Sequence, residues 1–297
     1  MSYLGKDVVC VEEIRISREE DLPQLRALWQ MAFGDGEEFL ELFFRGYDCP
    51  ERTLVLCEGG RVMTMLFLLP TTLVDGKGGF MPMPYVYALA THREARGKGC
   101  ARRLLGFAGR WARQMGAEGI STVPAEPSLH KFFASAGFRE GFSSRKIALC
   151  WEELSQGEIE GSIVPVDARS YNLLREELLR EIPHVAYPDQ LVELQRGMSR
   201  QTGADLYRIY AAGQQGCAAA ERGEEDTVVA KELLCPGGMM ASAQRLLARA
   251  LPAARYQFRT PAAQGDAGWH FGMVRGFCDK GQRIFDGGGA YMGLAFD

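Results

Sequence analysis

The stretch Arg96-Gly97-Lys98-Gly99-Cys100-Ala101 concentrates what a phosphate ligand needs. Small residues let the backbone come close to a ligand. A helix that starts among them offers unpaired amides and the positive end of its dipole to a pyrophosphate. Each charge-assisted bond of that kind contributes ~1.5–3 kcal/mol. Glycines at helix starts are also common without any ligand, so the flanking segments decide the reading. The stretch is not a nucleotide P-loop, because neither Ser nor Thr follows Lys98 and the spaced upstream glycine is absent.

The elements that must position this turn are legible on both sides of it. Pro82 and Pro84 introduce a strand from Tyr85 to Thr91, rich in β-branched, aromatic and small residues. After the turn, Ala101, Leu104, Leu105, Ala108, Trp111, Ala112 and Met115 recur at steps of three and four. They predict a helix with one face on a sheet and Arg102, Arg103, Arg110 and Arg113 in water. Upstream lie a short strand, Ile14 to Ser17, and helices over Glu19 to Phe33 and Glu37 to Phe44. A hairpin follows, Thr53 to Cys57 and Val62 to Val74, about Glu58-Gly59-Gly60. Downstream come a strand, Gly119 to Val123, and a helix, Ser128 to Ser135, stopped by Gly137-Phe138.

The acidic, polar segment from Trp151 to Ser162 marks a boundary, giving units of residues 1–150 and 151–297. Beyond it the order recurs: helix Tyr171 to Leu179, hairpin Leu206 to Ala212 and Gly216 to Arg222, strand Thr227 to Leu234, and a helix opened by Cys235-Pro236-Gly237-Gly238, with Tyr256 to Arg259 as a further strand. A weak internal duplication is expected. The second turn puts proline where an amide donor would serve and has no nearby arginine.

With 297 residues, 46% of them hydrophobic and 24% charged, the chain is long enough for about two cored domains. A net charge of −4 argues against a partner bound through its phosphate backbone, so no nucleic acid is expected. The eight cysteines form no CxxC pair and no metal spacing with the four histidines. They read as reduced thiols of a cytosol, with no metal cofactor. The amino terminus lacks a basic start followed by an apolar run, and the greasiest stretch, Val62 to Pro70, is too short to span a bilayer. A cytoplasmic protein without a membrane partner is the expectation.

Arg96, Gly99 and Ala101, with Tyr87-Ala88-Leu89-Ala90-Thr91 before them and Phe133-Ala134-Ser135-Ala136-Gly137-Phe138 after, resemble the signature of the GCN5-related N-acetyltransferase (GNAT) superfamily: Arg or Gln, two residues, Gly, one residue, then Gly or Ala. The resemblance is specific over about residues 52–141. The tandem arrangement looks most like the enhanced-intracellular-survival type, without its third domain. It implies an α/β (α+β) class, two tandem GNAT folds, each a mixed, twisted sheet flanked by helices. It also implies an N-acetyltransferase using acetyl-CoA as cosubstrate, with a primary amine, of a small molecule or a lysine side chain, as acceptor. Leu89, Ala90 and Thr91 would bond the pantetheine arm and the acetyl carbonyl. Arg96, Gly97, Lys98, Gly99, Cys100 and Ala101 would cradle the pyrophosphate. The second unit would be a degenerate copy without CoA. Survival-type relatives assemble, which makes a homo-oligomer an expected partner.

Transfer to an amine needs the neutral nucleophile, which at pH 7 costs about 4.6 kcal/mol for an alkyl ammonium. A carboxylate base is the usual remedy. Glu126, just past a strand end, is one candidate, although it also reads as a charge on a helix amino terminus. By the resemblance Asp297 is another, because the terminal carboxylate is the base in the survival-type relatives. The superfamily's thiolate-protonating tyrosine falls on Phe133, so the general acid is missing from its place; Tyr85 and Tyr87 are substitutes or core residues. A non-catalytic acyl-CoA-binding protein is the alternative that this departure supports.

Overall fold

The computed structural model describes residues 12–46, 50–157, 159–262, 268–278, 285 and 289–296. In chain order the elements are β1 (Glu12–Ile16), α1 (Leu22–Phe33), α2 (Glu37–Gly46), β2 (Thr53–Glu58), β3 (Arg61–Leu69), β4 (Thr72–Val74), β5 (Phe80–Pro82), β6 (Tyr85–Thr91), α3 (Cys100–Gln114), β7 (Gly119–Thr122), α4 (Pro127–Ser135) and β8 (Arg139–Cys150). They continue with α5 (Trp151–Leu154), β9 (Ser162–Pro165), α6 (Ala168–Leu179), β10 (His184–Ala186), α7 (Asp189–Gln201), β11 (Leu206–Ala211), β12 (Gln214–Gly223), β13 (Thr227–Leu234), α8 (Met240–Ala250), β14 (Arg255–Pro261) and β15 (Trp269–Gly276).

One mixed sheet runs through the molecule in the order β1-β2-β3-β6-β7-β15-β8-β14-β13-β12-β11-β9. Two of its pairs are parallel, β6 with β7 and β13 with β14. Each is joined by a helical crossover, α3 in one case and α8 in the other, as a parallel connection requires. The two halves therefore repeat a hairpin, a central strand, a crossover helix and a parallel neighbour.

The halves also exchange strands. β15, from the end of the chain, lies between β7 and β8, pairing Val274 with Ser121 on one side and with Arg139 on the other. β8 leaves β15 after Ser144 and pairs its second part, Ser144 to Cys150, with β14.

One sheet face carries α1, α2, α6, α7 and the segment 290–296 over a single apolar cluster. The other face is covered by α3 and α4 in the first half and by α8 in the second. The apolar spacing that predicted α3 places Leu104, Leu105, Ala108 and Ala112 in the core.

One sequence expectation is corrected. The run Val62 to Val74 breaks at Pro70, which has no amide to donate, and β4 leaves for a small sheet of order β10-β4-β5. The arginines of α3 are exposed, as their place on the polar face predicts, and three of them also hold partners. Arg102 bonds Ser135, Arg103 pairs with Glu12, and Arg113 bonds the Phe277 carbonyl. Residues 290–296 are buried. Asp297, Cys10 and Cys49 lie outside the described residues.

Candidate active site

β6 and β7 pair only through Tyr85 with Ser121 and Val86 with Thr122. Beyond Val86 no further pairing joins the two strands, which leaves the β7-facing edge of β6 unpaired through Leu89, Ala90 and Thr91. The opposite edge of β6 is held by β3, with Met65 facing Ala90 and Thr64 facing Thr91. Between the pairing of Met65 with Ala90 and that of Phe67 with Tyr87 the register shifts, and Ala88 there takes a φ of 48°. A left-handed alanine inside a strand is strained, a feature that concentrates at ligand sites. Amides on the free edge of a parted strand are available to a ligand's carbonyl groups.

The turn after β6 is a phosphate cradle in shape. Residues Arg93–Ala95 make one 3₁₀ turn, and the chain then passes through left-handed Gly97 and Gly99, at φ 77° and 76°, before α3 starts at Cys100. The first bond of the helix is Arg103 N–H to the Gly99 carbonyl at 3.1 Å. The amides of Cys100, Ala101 and Arg102 therefore face out of the helix end. A side chain added at Gly97 would meet no atom within 4 Å, so the hollow above the turn is open. Arg96, Gly97, Lys98 and Gly99 are exposed, while Cys100 is buried. These residues fit a pyrophosphate by donor set, charge and access.

Arg103 stiffens the cradle. Its guanidinium bonds the Lys98 carbonyl at 2.8 Å and Glu12 at 2.6 Å. Arg96 is tied to the Thr91 carbonyl at 3.2 Å, joining turn and strand. Glu126 is the amino-terminal cap residue of α4 and is exposed, with the Ser128 hydroxyl donating to it at 3.2 Å. Phe133 is buried against Phe132 and Phe138, at ring distances of 5.2 and 5.4 Å.

The segment 290–296, hereafter the strap, is what sequence reasoning missed. Tyr85 donates its hydroxyl to the Ala295 carbonyl and Tyr87 to the Phe296 carbonyl, both at 2.9 Å. Tyr187 donates to the carbonyls of Met292, at 2.8 Å, and Leu294. The Phe296 ring packs on Tyr85, Tyr87 and Tyr187. Tyr85 and Tyr87 thus bind the strap with their hydroxyl protons. The apolar run Ala290 to Phe296 was the available signal for a buried end. Alongside it, Trp29, Phe43 and Phe67 form an aromatic wall with Tyr87, and the Trp29 indole donates to Asp35 at 2.7 Å.

In the second half β13 shifts register against β12 at Lys231, as β6 does at Ala88, and β13 and β14 also part, after Ala230 and Phe258. There the position of an open edge is taken by buried charge. Glu232 accepts from Tyr171 and Arg175, both at 2.8 Å, and Arg175 also bonds Glu176. Burial pushes the Arg175 pKa down, but Glu232 and Glu176 outweigh it and hold the guanidinium charged.

A family profile described as "Acetyltransferase (GNAT) domain" matches residues 13–139. No curated protein sequence matches the chain. Among solved structures, a conserved protein of unknown function from Enterococcus faecalis, described as a probable N-acyltransferase, is similar with a TM-score of 0.70 at 13% identity, over 90% of this chain and 72% of that one. The Eis protein of Mycobacterium abscessus gives 0.60 at 14% identity, over 90% and 73%. A tandem GNAT protein from the clavulanic acid biosynthesis pathway gives 0.50 at 14% identity, over 89% and 98%. At such identities the likeness is one of fold. No helix among the described residues is long and apolar enough to cross a membrane. The profile on residues 13–139 and the fold shared along the chain make it similar to GNAT acetyltransferases, with tandem and Eis-type proteins among them.

Proposed function

We propose that the chain transfers an acetyl group from acetyl-CoA to a primary amine by direct attack within a ternary complex, with CoA held by the first half alone. The observation that carries this reading is the pairing of the parted β6 edge with an open, arginine-braced turn at the start of α3. Amides at Leu89 to Thr91 would bond the pantetheine arm and polarise the thioester carbonyl. Arg96 to Ala101 would hold the pyrophosphate.

The amine nitrogen would form a bond to the acetyl carbon, the carbon–sulfur bond would break, and the ammonium proton would pass to a base. Glu126 is our candidate, directly or through water. Asp297, the residue after Phe296, is the other. The second half, a degenerate copy, would wall the acceptor pocket and hold the strap.

A second reading, acyl-CoA binding without turnover, is favoured by Phe133 at the acid position and by the engagement of Tyr85 and Tyr87 with the strap. Calorimetric titration with acetyl-CoA, followed by thiol release over a panel of amines, separates the two. Binding with amine-dependent release supports transfer, release-free binding supports the second reading, and no binding sinks both. If only the acid is missing, Phe133→Tyr is expected to raise turnover at least tenfold with unchanged acetyl-CoA affinity.

A further inference from the structure

A cavity of about 510 Å³ lies away from the cradle. It lies at the other end of α3, where Trp111, Ala112 and Met115 form one wall. A helix of 15 residues is about 22 Å long, so cradle and cavity are separated by roughly that distance. Pro84 at the entry to β6 and Tyr187 ahead of α7 close other sides. A bound acetyl group at Leu89 to Thr91 would not reach it.

Its size falls in the range of small-molecule sites, roughly 300–1,000 Å³. The lining is prolines, aromatics, Met115 and small residues, with a single basic group, Arg52. Arg52 is half-buried, and no carboxylate among the described residues pairs with it. The hydroxyl of Thr71 is already committed to the Met83 carbonyl at 2.5 Å. Among the described residues the site therefore offers largely apolar walls, the Thr72 hydroxyl and a cation without a carboxylate partner. Phe80 and Met115, at its mouth, are 66% and 60% exposed, unusual for large apolar side chains. They are too few for a protein interface, which needs about 800 Å² from each partner.

We propose that this cavity binds a small apolar monocarboxylate, its carboxylate on Arg52 and its hydrocarbon or aryl body beneath Trp111 and Phe80. That orientation also keeps the anion off the carbonyl end of α3, whose dipole would repel it. The charge complementarity is with one anion on one cation, and Arg52 can grip a carboxylate through two parallel bonds. An uncharged amphiphile of the same length gains only the apolar part.

The test is calorimetric titration of the full chain with decanoate, and with decanol as the uncharged control. Saturable one-to-one binding of decanoate is expected, at least tenfold tighter than decanol. Arg52→Gln should remove that preference. Met115→Glu, a change at an exposed position, should weaken decanoate at least tenfold. Gly99→Glu should leave decanoate binding unchanged, which distinguishes this site from the cradle whatever the cradle binds. Non-saturating binding, equal affinity for decanol, or full decanoate affinity in Arg52→Gln overturns the proposal. So does a concentration-dependent dimer that Met115→Glu dissolves, since the face would then belong to a second copy.

Discussion

At the scale of single residues, Gly99 has two independent reasons to be glycine. Its φ of 76° lies where an L side chain is strained by roughly 1–2 kcal/mol, and a Cβ would sit 3.4 Å from the Arg103 guanidinium that braces the turn. Gly99→Glu adds a negative charge where a pyrophosphate would sit. We expect acetyl-CoA affinity to fall at least a hundredfold while cooperative unfolding persists; unchanged affinity in the same titration would remove the phosphate assignment. The turn was legible because its glycines, arginine and following helix are contiguous in sequence. Arg103 faces solvent as its helix position predicts, but its partners, Glu12 and the Lys98 carbonyl, were not legible because only folding brings them together.

Asp21 carries a residue-scale prediction about pH. Burial raises its pKa, but the Arg15 guanidinium and the Arg18 amide, bonded at 2.5 and 2.7 Å, outweigh burial and leave the carboxyl below its usual value. A carboxyl depressed in the folded state stabilises above its unfolded pKa of about 3.9, and that contribution is lost as pH falls through the folded value. Asp21→Asn should therefore destabilise the protein at pH 7 and make little difference at the most acidic pH where the wild type still folds. Denaturant midpoints of the pair across that range would converge on acidification; parallel curves would refute the assignment.

At the scale of elements, the strap and β13 meet over buried charge. Arg175 and Glu232 are each fully buried, and a Cβ at Gly293 would lie only 2.0 Å from a Glu232 oxygen, so the strap packs directly on this pair. Removing Glu232 leaves the buried Arg175 with only the partly exposed Glu176, and breaking a buried pair typically costs about 3–5 kcal/mol. Glu232→Gln is expected to lower the denaturant midpoint by that equivalent, and a loss below ~1 kcal/mol would mean that the pair is dispensable. None of this was visible in sequence. A Glu in the run Thr227 to Leu234 looks like any strand's solvent-facing residue until the register shift at Lys231 turns it inward. By contrast, α7 was overlooked although Leu191, Val192, Leu194 and Met198 have helical spacing.

At the scale of the whole molecule, the exchange of β8 and β15 decides how the halves depend on each other. Sequence reading found the repeat because its hairpins and helices are local, but strand exchange leaves no periodicity, since pairing partners such as Val274 and Ser121 are far apart in the chain. A fragment of residues 1–150 would keep β7 and β8 yet lack the strand that lies between them. It would expose two unpaired edges and the apolar face that Phe271 and Val274 cover. The second half alone would lose β8 from beside β14. Each half completes the other's sheet, so we expect the intact chain to unfold in a single calorimetric transition and the 1–150 fragment to lack a cooperative one. Two separable transitions, or a fragment that folds and binds acetyl-CoA at full affinity, would show that the exchanged strands are decoration on autonomous halves. The single-transition outcome would also tie the cradle's stability to the chain's last strand, placing loss of CoA affinity within reach of changes in β15.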